Sequence, residues 1–110
     1  MPPAADPVGA VFAALADPTR RQLVETLARG SAATPTSLAA GLPMTRQAVT
    51  KHLHALSEAG LVSASREGRE TRYELTPHAL GQATGWLAAV GADWDQRLSR
   101  LERILRRRGV

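Results

Sequence analysis

Apolar residues recur at helical spacing along most of this chain, and the spacing tightens to strict alternation only once, just past the middle. Residues 1–7 contain three prolines and predict a loose, flexible N-terminus. Val8 to Ala16 predicts a short helix with Val8, Phe12 and Leu15, or Val11, on one face. Asp17-Pro18 then marks a helix start, because Asp caps and Pro at the first helical position loses no hydrogen bond. That helix runs to about Arg29, buries Leu23, Val24 and Leu27, and stops at Gly30. SAATPTS reads as a linker. A short helix from Thr36 or Ser37 to Ala40 follows, ended by Gly41-Leu42-Pro43. At about four to six residues it needs neighbours to hold it.

Thr45 is the expected N-cap of the next helix and Gly60 its C-terminal cap. At about 100° per residue, Val49, Leu53 and Leu56 share one narrow sector. Ala48, Ala55 and Ala59 lie beside it, a smooth flank for another helix. Gln47, Thr50, Lys51, His54 and Glu58 face the opposite way. His52 falls about 60° from the stripe centre, at the edge of burial. The pattern is that of a packed helix with a polar outer face.

Leu61 to Arg66 and Glu70 to Thr76 predict two strands, with Tyr73 and Leu75 alternating with Arg72 and Glu74. Glu67-Gly68-Arg69 makes the turn, so Arg66, Arg69 and Arg72 project at or near a hairpin tip. Pro77 opens the last helix, His78 to about Arg107. Leu80, Leu87, Trp94 and Leu101 recur every seven residues, widened by Val90, Leu98, Ile104 and Leu105. A helix that long exceeds what the small core needs, which predicts a partner helix. Gly81 and Gly85 suggest a close helix contact or a kink.

The predicted fold is therefore mainly α with a β-hairpin wing: a winged helix-turn-helix in the order α-α-α-α-β-β-α. Residues 8–107 form one domain that dimerises through its terminal helices, the C-terminal one being 78–107. In such a fold the second helix of the pair enters the major groove. Arg46 and Gln47 are the expected base readers, since Arg pairs bidentately with guanine and Gln with adenine. Thr45, Thr50, His52 and His54 are expected base or phosphate contacts, and Lys51 a phosphate contact. Arg66, Arg69 and Arg72 of the wing reach phosphates or the adjacent minor groove. Val8, Val11, Phe12, Leu15, Leu80, Leu87, Val90, Trp94, Leu98, Leu101 and Leu105 are the expected dimer contacts. A twofold dimer implies a roughly palindromic operator.

Charge sharpens this modestly. The net charge is +4, and 13 of 14 basic residues are Arg, with Lys51 the exception. Residues 20–76 hold eight bases against five acids, so a nucleic-acid footprint belongs there. The six Arg between Arg97 and Arg108 sit at the dimer end, where solubility and pairing with Glu102 suffice to explain them. No Lys or Arg precedes an apolar run at the N-terminus, so no signal peptide is expected. No apolar run approaches membrane-spanning length. The expected location is cytoplasmic, with no membrane partner.

LADPTRRQLVETLARG (15–30), MTRQAVTKHLHALSEAGLV (44–62) and REGRETRYELTP (66–77) resemble the ArsR/SmtB family of winged-helix repressors, and WLAAVGADWDQRLSRLERIL (86–105) resembles its terminal dimer helix. The resemblance spans Val8 to Leu105 and fits the family's cysteine-free branch. It implies a dimeric, often autoregulatory transcriptional repressor, usually released from its operator by an effector. Thr50 stands where the family's AVSKHL-like motif has a phosphate-contacting Ser, and His52 takes that motif's His place. The family's metal sensors use a cysteine box in the short helix, where this chain reads TPTSLAAGLP, or paired Asp/His and His/Glu ligands on the terminal helix. This chain has no Cys, and that helix offers Asp93 and Asp95 with no His beyond His78.

No metal or other cofactor is therefore expected, and the effector is either of another kind or absent. His52 and His54 diverge by about 200° and cannot chelate one ion; Asp93 and Asp95 diverge the same way and read as a solvated face. Trp86 and Trp94 read as seam packing ahead of an effector pocket. Without Cys, a defensible Ser-His-Asp spacing or a Gly-rich phosphate loop, catalysis is not expected. The alternative to a sequence-specific repressor is a winged-helix module for protein association or a non-specific architectural DNA binder.

Overall fold

A computed structural model describes residues 5–109 of the chain. The elements follow the predicted order: α1 (Pro7–Leu15), α2 (Pro18–Arg29), α3 (Pro35–Ala40), α4 (Arg46–Glu58), β1 (Val62–Glu67), β2 (Glu70–Leu75) and α5 (Pro77–Arg107). Side chains set the helix starts. Asp6 accepts from Gly9 N–H, and Asp17 from Thr19 and Arg20 N–H at 2.8 and 3.2 Å. Thr34 and Ser37 form a reciprocal capping box, and Thr45 accepts from Ala48 N–H at 3.1 Å. Proline opens α1, α2, α3 and α5, so α1, α3 and α5 begin a residue or two before their expected starts. Of the expected loose segment 1–7, residues 1–4 lie outside the described residues; Asp6 caps α1 and Pro7 is already helical.

α4 ends in a tight reversal. Gly60 N–H donates to Ser57 O and Leu61 N–H to Leu56 O, both at 3.0 Å, with Gly60 at φ 79°. This Schellman arrangement turns the chain straight into β1 and buries Leu61 and Val62. β1 and β2 pair antiparallel from Val62↔Leu75 to Glu67↔Glu70, so only Gly68 and Arg69 form the loop. Gly68 has φ 63°, the positive angle that glycine supplies at the first position of a type II′ hairpin turn. The linker holds one feature the sequence pattern does not reveal: Ala33 exchanges two backbone hydrogen bonds with Tyr73, at 2.9 and 2.8 Å. That bridge anchors the start of α3 to the wing.

The core is one cluster of Leu23, Leu27, Leu38, Val49, Leu53, Leu56, Leu61 and Val62, closed by Val11 and Ala14 from α1 and Ala79 and Ala83 from α5. Val11 was expected at the dimer seam. It has 0% exposure and faces this core, so it has no surface to give a second chain. The first part of α5 packs against α1, and beyond Ala83 every described residue of α5 is exposed. A side chain at Gly81 or Gly85 would enter open space, so no close contact among the described residues explains these glycines, and α5 continues through both.

Candidate nucleic-acid interface

Three fully buried side chains on α4 decide what the rest of that helix faces. Val49, Leu53 and Leu56 have 0% exposure and lock the helix about its axis against α2, α3 and β1. Thr45, Arg46, Gln47, Thr50, Lys51 and His54 are consequently exposed. α3 packs on α4 through Leu38, and the turn between them is closed by Leu42 N–H to Ala39 O and Met44 N–H to Leu42 O. Leu42 and Met44 pack on the core, so the angle of the helix pair is fixed by burial at the turn itself.

Arg46 and Thr50 lie on the shoulder of α4 that looks towards the wing. An open cleft of about 580 Å³ lies between them and Arg69, Thr71 and Tyr73, and Thr36 of α3 also lines it. One wall comes from the helix pair and the other from the hairpin. The Ala33–Tyr73 bridge and the core contacts of Tyr73 hold the two walls together. Thr50 Oγ1 donates to Arg46 O at 3.0 Å, so in this rotamer its hydroxyl turns lone pairs outward. Gln47 and Lys51 lie further round on the outermost face. His54 Nε2 meets Glu58 Oε1 at 3.0 Å, both side chains in solvent.

The three wing arginines do not act alike. In the strand register Arg66 pairs with Thr71 and Arg72 with Ser65, which puts Arg66 on the Tyr73 face of the hairpin and Arg72 on the opposite one. Arg72 is also occupied. Its Nε lies 3.0 Å from Glu67 Oε2 and its Nη2 3.4 Å from Glu70 Oε2. The first contact is ionic, since the Nε–H is not aimed at the carboxylate and has no hydrogen-bond partner. Arg72, expected to join Arg66 and Arg69 in meeting DNA, is thus engaged by two glutamates of its own hairpin. Arg66 and Arg69 are exposed and have no ion-pair partner among the described residues.

His52 sits on the other shoulder, half-buried, and its Nδ1 accepts from Arg20 Nε at 3.3 Å. The two histidines thus have separate partners on separate faces. Among the described residues no group of three or more His, Asp or Glu side chains is arranged to hold a metal ion. Arg20 and Arg21 are the residues that sequence reasoning passed over. Arg21 Nη1 donates to Leu15 O and Ala16 O at 2.6 and 3.2 Å, and Arg20 Nη1 reaches Ala14 O at 3.5 Å. Both satisfy carbonyls at the end of α1. Asp17 lies in the same joint. The Arg20 backbone N–H, ahead of the Thr19 N–H, holds its carboxyl below the usual aspartate value against the opposing effect of desolvation.

On the far side of the core, α5 carries an uncovered apolar row. Trp86, Leu87, Val90, Trp94, Leu98, Leu101 and Leu105 are each 41–58% exposed, and Phe12 of α1 adjoins them at 39%. Val8, Leu15 and Leu80 are half-buried at the row's inner end. A contiguous apolar surface of this kind marks an interaction site.

A family model described as a helix-turn-helix domain matches residues 15–63. The HTH-type transcriptional regulator CmtR of Mycobacterium tuberculosis (strain ATCC 25618 / H37Rv) is 45% identical over 85 residues, covering 76% of this chain and 71% of CmtR. The transcriptional repressor SdpR of Bacillus subtilis (strain 168) is 30% identical over 77 residues, covering 70% of this chain and 84% of SdpR. Among solved structures, an ArsR-like transcriptional regulator from Rhodococcus sp. RHA1 superposes with a TM-score of 0.77 at 41% identity, over 89% of this chain and 92% of that one.

Proposed function

The chain belongs to the ArsR/SmtB family of winged helix-turn-helix transcriptional regulators, and from that premise we propose that it is a homodimeric repressor that binds a roughly palindromic operator. One observation carries the reading. Burial of Val49, Leu53 and Leu56 turns Arg46, Gln47, Thr50, Lys51 and His54 outward beside a cleft walled by the wing. A helix so presented fits the major groove of B-DNA, with Arg46 and Gln47 near its N-terminus at base edges. Lys51, Arg66 and Arg69 supply phosphate contacts, and Thr50 lines the cleft through which the backbone passes.

The uncovered row on α5 supports self-association. Two copies burying it against each other place two α4 helices on one side of a dimer, which calls for half-sites about one DNA turn apart. In this reading residues 8–107 act as one domain, Leu87 to Leu105 and Phe12 make the seam, and the protein performs no catalysis. No helix among the described residues is long and apolar enough to cross a membrane, and a DNA-binding role calls for a cytoplasmic location. Repression accords with SdpR, a relative named as a repressor. No metal is invoked for release from DNA.

Selection of binding sites from fragmented genomic DNA with the purified protein tests the proposal. The expected product is a two-part inverted repeat, with a site upstream of the protein's own gene if control is autoregulatory. Uniform recovery of all fragments would overturn sequence-specific recognition in favour of architectural binding, and no recovery at all would favour a protein-association module.

A further inference from the structure

Arg20 sits where three helices meet, and DNA reading as described gives it no task. It belongs to α2, its Nη1 reaches the α1 carbonyl of Ala14, and its Nε donates to His52 of α4. No carboxylate lies within ion-pair range of it among the described residues, although its guanidinium is part-buried. Its neighbour Arg21 and the cap residue Asp17 fasten the same joint from either side. The DPTRR stretch thus ties the end of α1 to α2, and α2 to the recognition helix.

The contact decides the chemistry of His52. A guanidinium donates and does not accept, so the ring nitrogen that faces it must hold a lone pair. With Nδ1 committed as acceptor, the neutral imidazole carries its proton on Nε2. Nε2 has no protein partner among the described residues and is not one of the buried unpartnered side-chain atoms. It is therefore open to solvent and free to donate as an N–H. His52 lies on the shoulder of α4 between the buried Val49 and Leu53 and the exposed Lys51. Phosphates pass such a shoulder when a helix lies in the major groove.

We propose that Arg20 is a positioning residue of the DNA interface: it fixes His52 as the Nε2–H tautomer, with that edge turned out to donate to a DNA phosphate. The proposal rests on α4 being the DNA-reading helix. It also makes Arg20 the link through which the placement of α1, and of α5 on which α1 packs, reaches the DNA-binding face. The donor is neutral, so it adds affinity on any sequence without displacing counterions.

Two measurements on the full chain test this. Two-bond ¹H–¹⁵N spectra report which ring nitrogen of His52 is protonated. The wild type should show the Nε2–H form, and Arg20→Met should show a mixture of tautomers while α4 amide shifts stay in place. A wild type dominated by the Nδ1–H form would overturn the assignment. The second measurement compares His52→Gln, whose amide reaches the Nε2 position, with His52→Asn, whose shorter amide can still accept near the Nδ1 position but cannot bring its NH2 to the Nε2 position. His52→Asn should lose about tenfold in affinity for specific and random duplexes alike, at unchanged salt slope, and His52→Gln should stay within about threefold of wild type. Equal affinities for His52→Asn and wild type would overturn the phosphate contact even if Arg20→Met fails to fold. Failure of the wild type to bind any duplex would instead overturn the reading of α4, and the tautomer spectra would still decide the role of Arg20.

Discussion

The ring of Phe12 meets the ring of Trp86 edge-on, with centroids 5.8 Å apart and planes inclined at 69°. This contact fastens α1 to α5 within one chain, yet Phe12 stays 39% and Trp86 50% exposed. In the proposed dimer the pair belongs to the seam, together with the row continuing through Val90, Trp94, Leu98 and Leu101. Leu101 lies well beyond the last core residue of α5, Ala83, so Leu101→Glu leaves the core intact. In a twofold dimer the loss counts twice, about 3–6 kcal/mol from two exposed leucines. Sedimentation equilibrium should show the dimer dissociating at concentrations at least a hundredfold higher, with the circular dichroism of the folded chain retained. An unchanged dimer constant would exclude this row as the seam.

The wing gives a sharper contrast. Arg72 is held between Glu67 and Glu70, whereas Arg69 at the turn has no acidic partner among the described residues. Arg69→Ala should therefore lower the slope of log affinity against log salt by about one phosphate equivalent, and Arg72→Ala should barely change it. Equal changes in slope would mean that DNA pulls Arg72 away from its glutamates.

These residues also show where sequence reasoning stops. Helix starts and the hairpin turn were legible because Asp17-Pro18, Thr45 and Gly68 act on their immediate neighbours. The outward face of α4 was legible because its apolar stripe is narrow. α1 is apolar nearly all round, so its period could not say whether Val11 or Phe12 turns inward. Alternation revealed β2 and set Arg72 opposite Tyr73, but that Glu67 meets it on that face depends on a register formed with β1. The Ala33–Tyr73 bridge is a single residue pair with no periodic trace. Arg20 and His52 are 32 positions apart, and no local pattern links them.

Acid should loosen the joint at Asp17. Its carboxyl is held below the ordinary value chiefly by the Arg20 backbone N–H, so the folded state favours the ionised form. The resulting stability is complete above the unfolded-state pKa and drains away as pH falls through that value towards the lower folded one. Asp17→Asn keeps a capping oxygen but does not titrate, and Asp17→Ala loses the cap. Thermal melts at neutral pH should rank wild type above Asp17→Ala. Between neutral pH and the region below the aspartate range, wild type should lose more stability than Asp17→Asn. Parallel pH profiles for those two proteins would refute the linkage.

Gly60 should tolerate no side chain without cost. The space is adequate, since a Cβ there would meet the Ala79 Cβ at 3.5 Å, an ordinary contact. The backbone is the obstacle: φ is 79° in the reversal that ends α4. Gly60→Ala should destabilise the protein by about 1–2 kcal/mol in urea unfolding. Gly81→Ala, in a helical position with open space around it, should be neutral or stabilising by up to about 1 kcal/mol. A reversed ranking would argue against the left-handed turn at Gly60.

Gln47 and Lys51 sit one turn apart on the exposed face of α4, and their chemistry separates two kinds of DNA contact. An ammonium meets phosphate as a point charge, so Lys51→Ala should weaken binding to every duplex and reduce the salt slope by about one. A carboxamide is uncharged and pairs with the N6 and N7 edge of adenine. Gln47→Ala should therefore leave the salt slope alone, leave random DNA alone, and relax the preference at one base pair per half-site by about 1–3 kcal/mol. Titrating both variants against the selected operator, a single-base-pair library of it and random DNA at several salt concentrations separates these outcomes. If Gln47→Ala weakens random and specific DNA equally, base reading falls to Arg46, and Gln47 serves only to position the helix on the backbone.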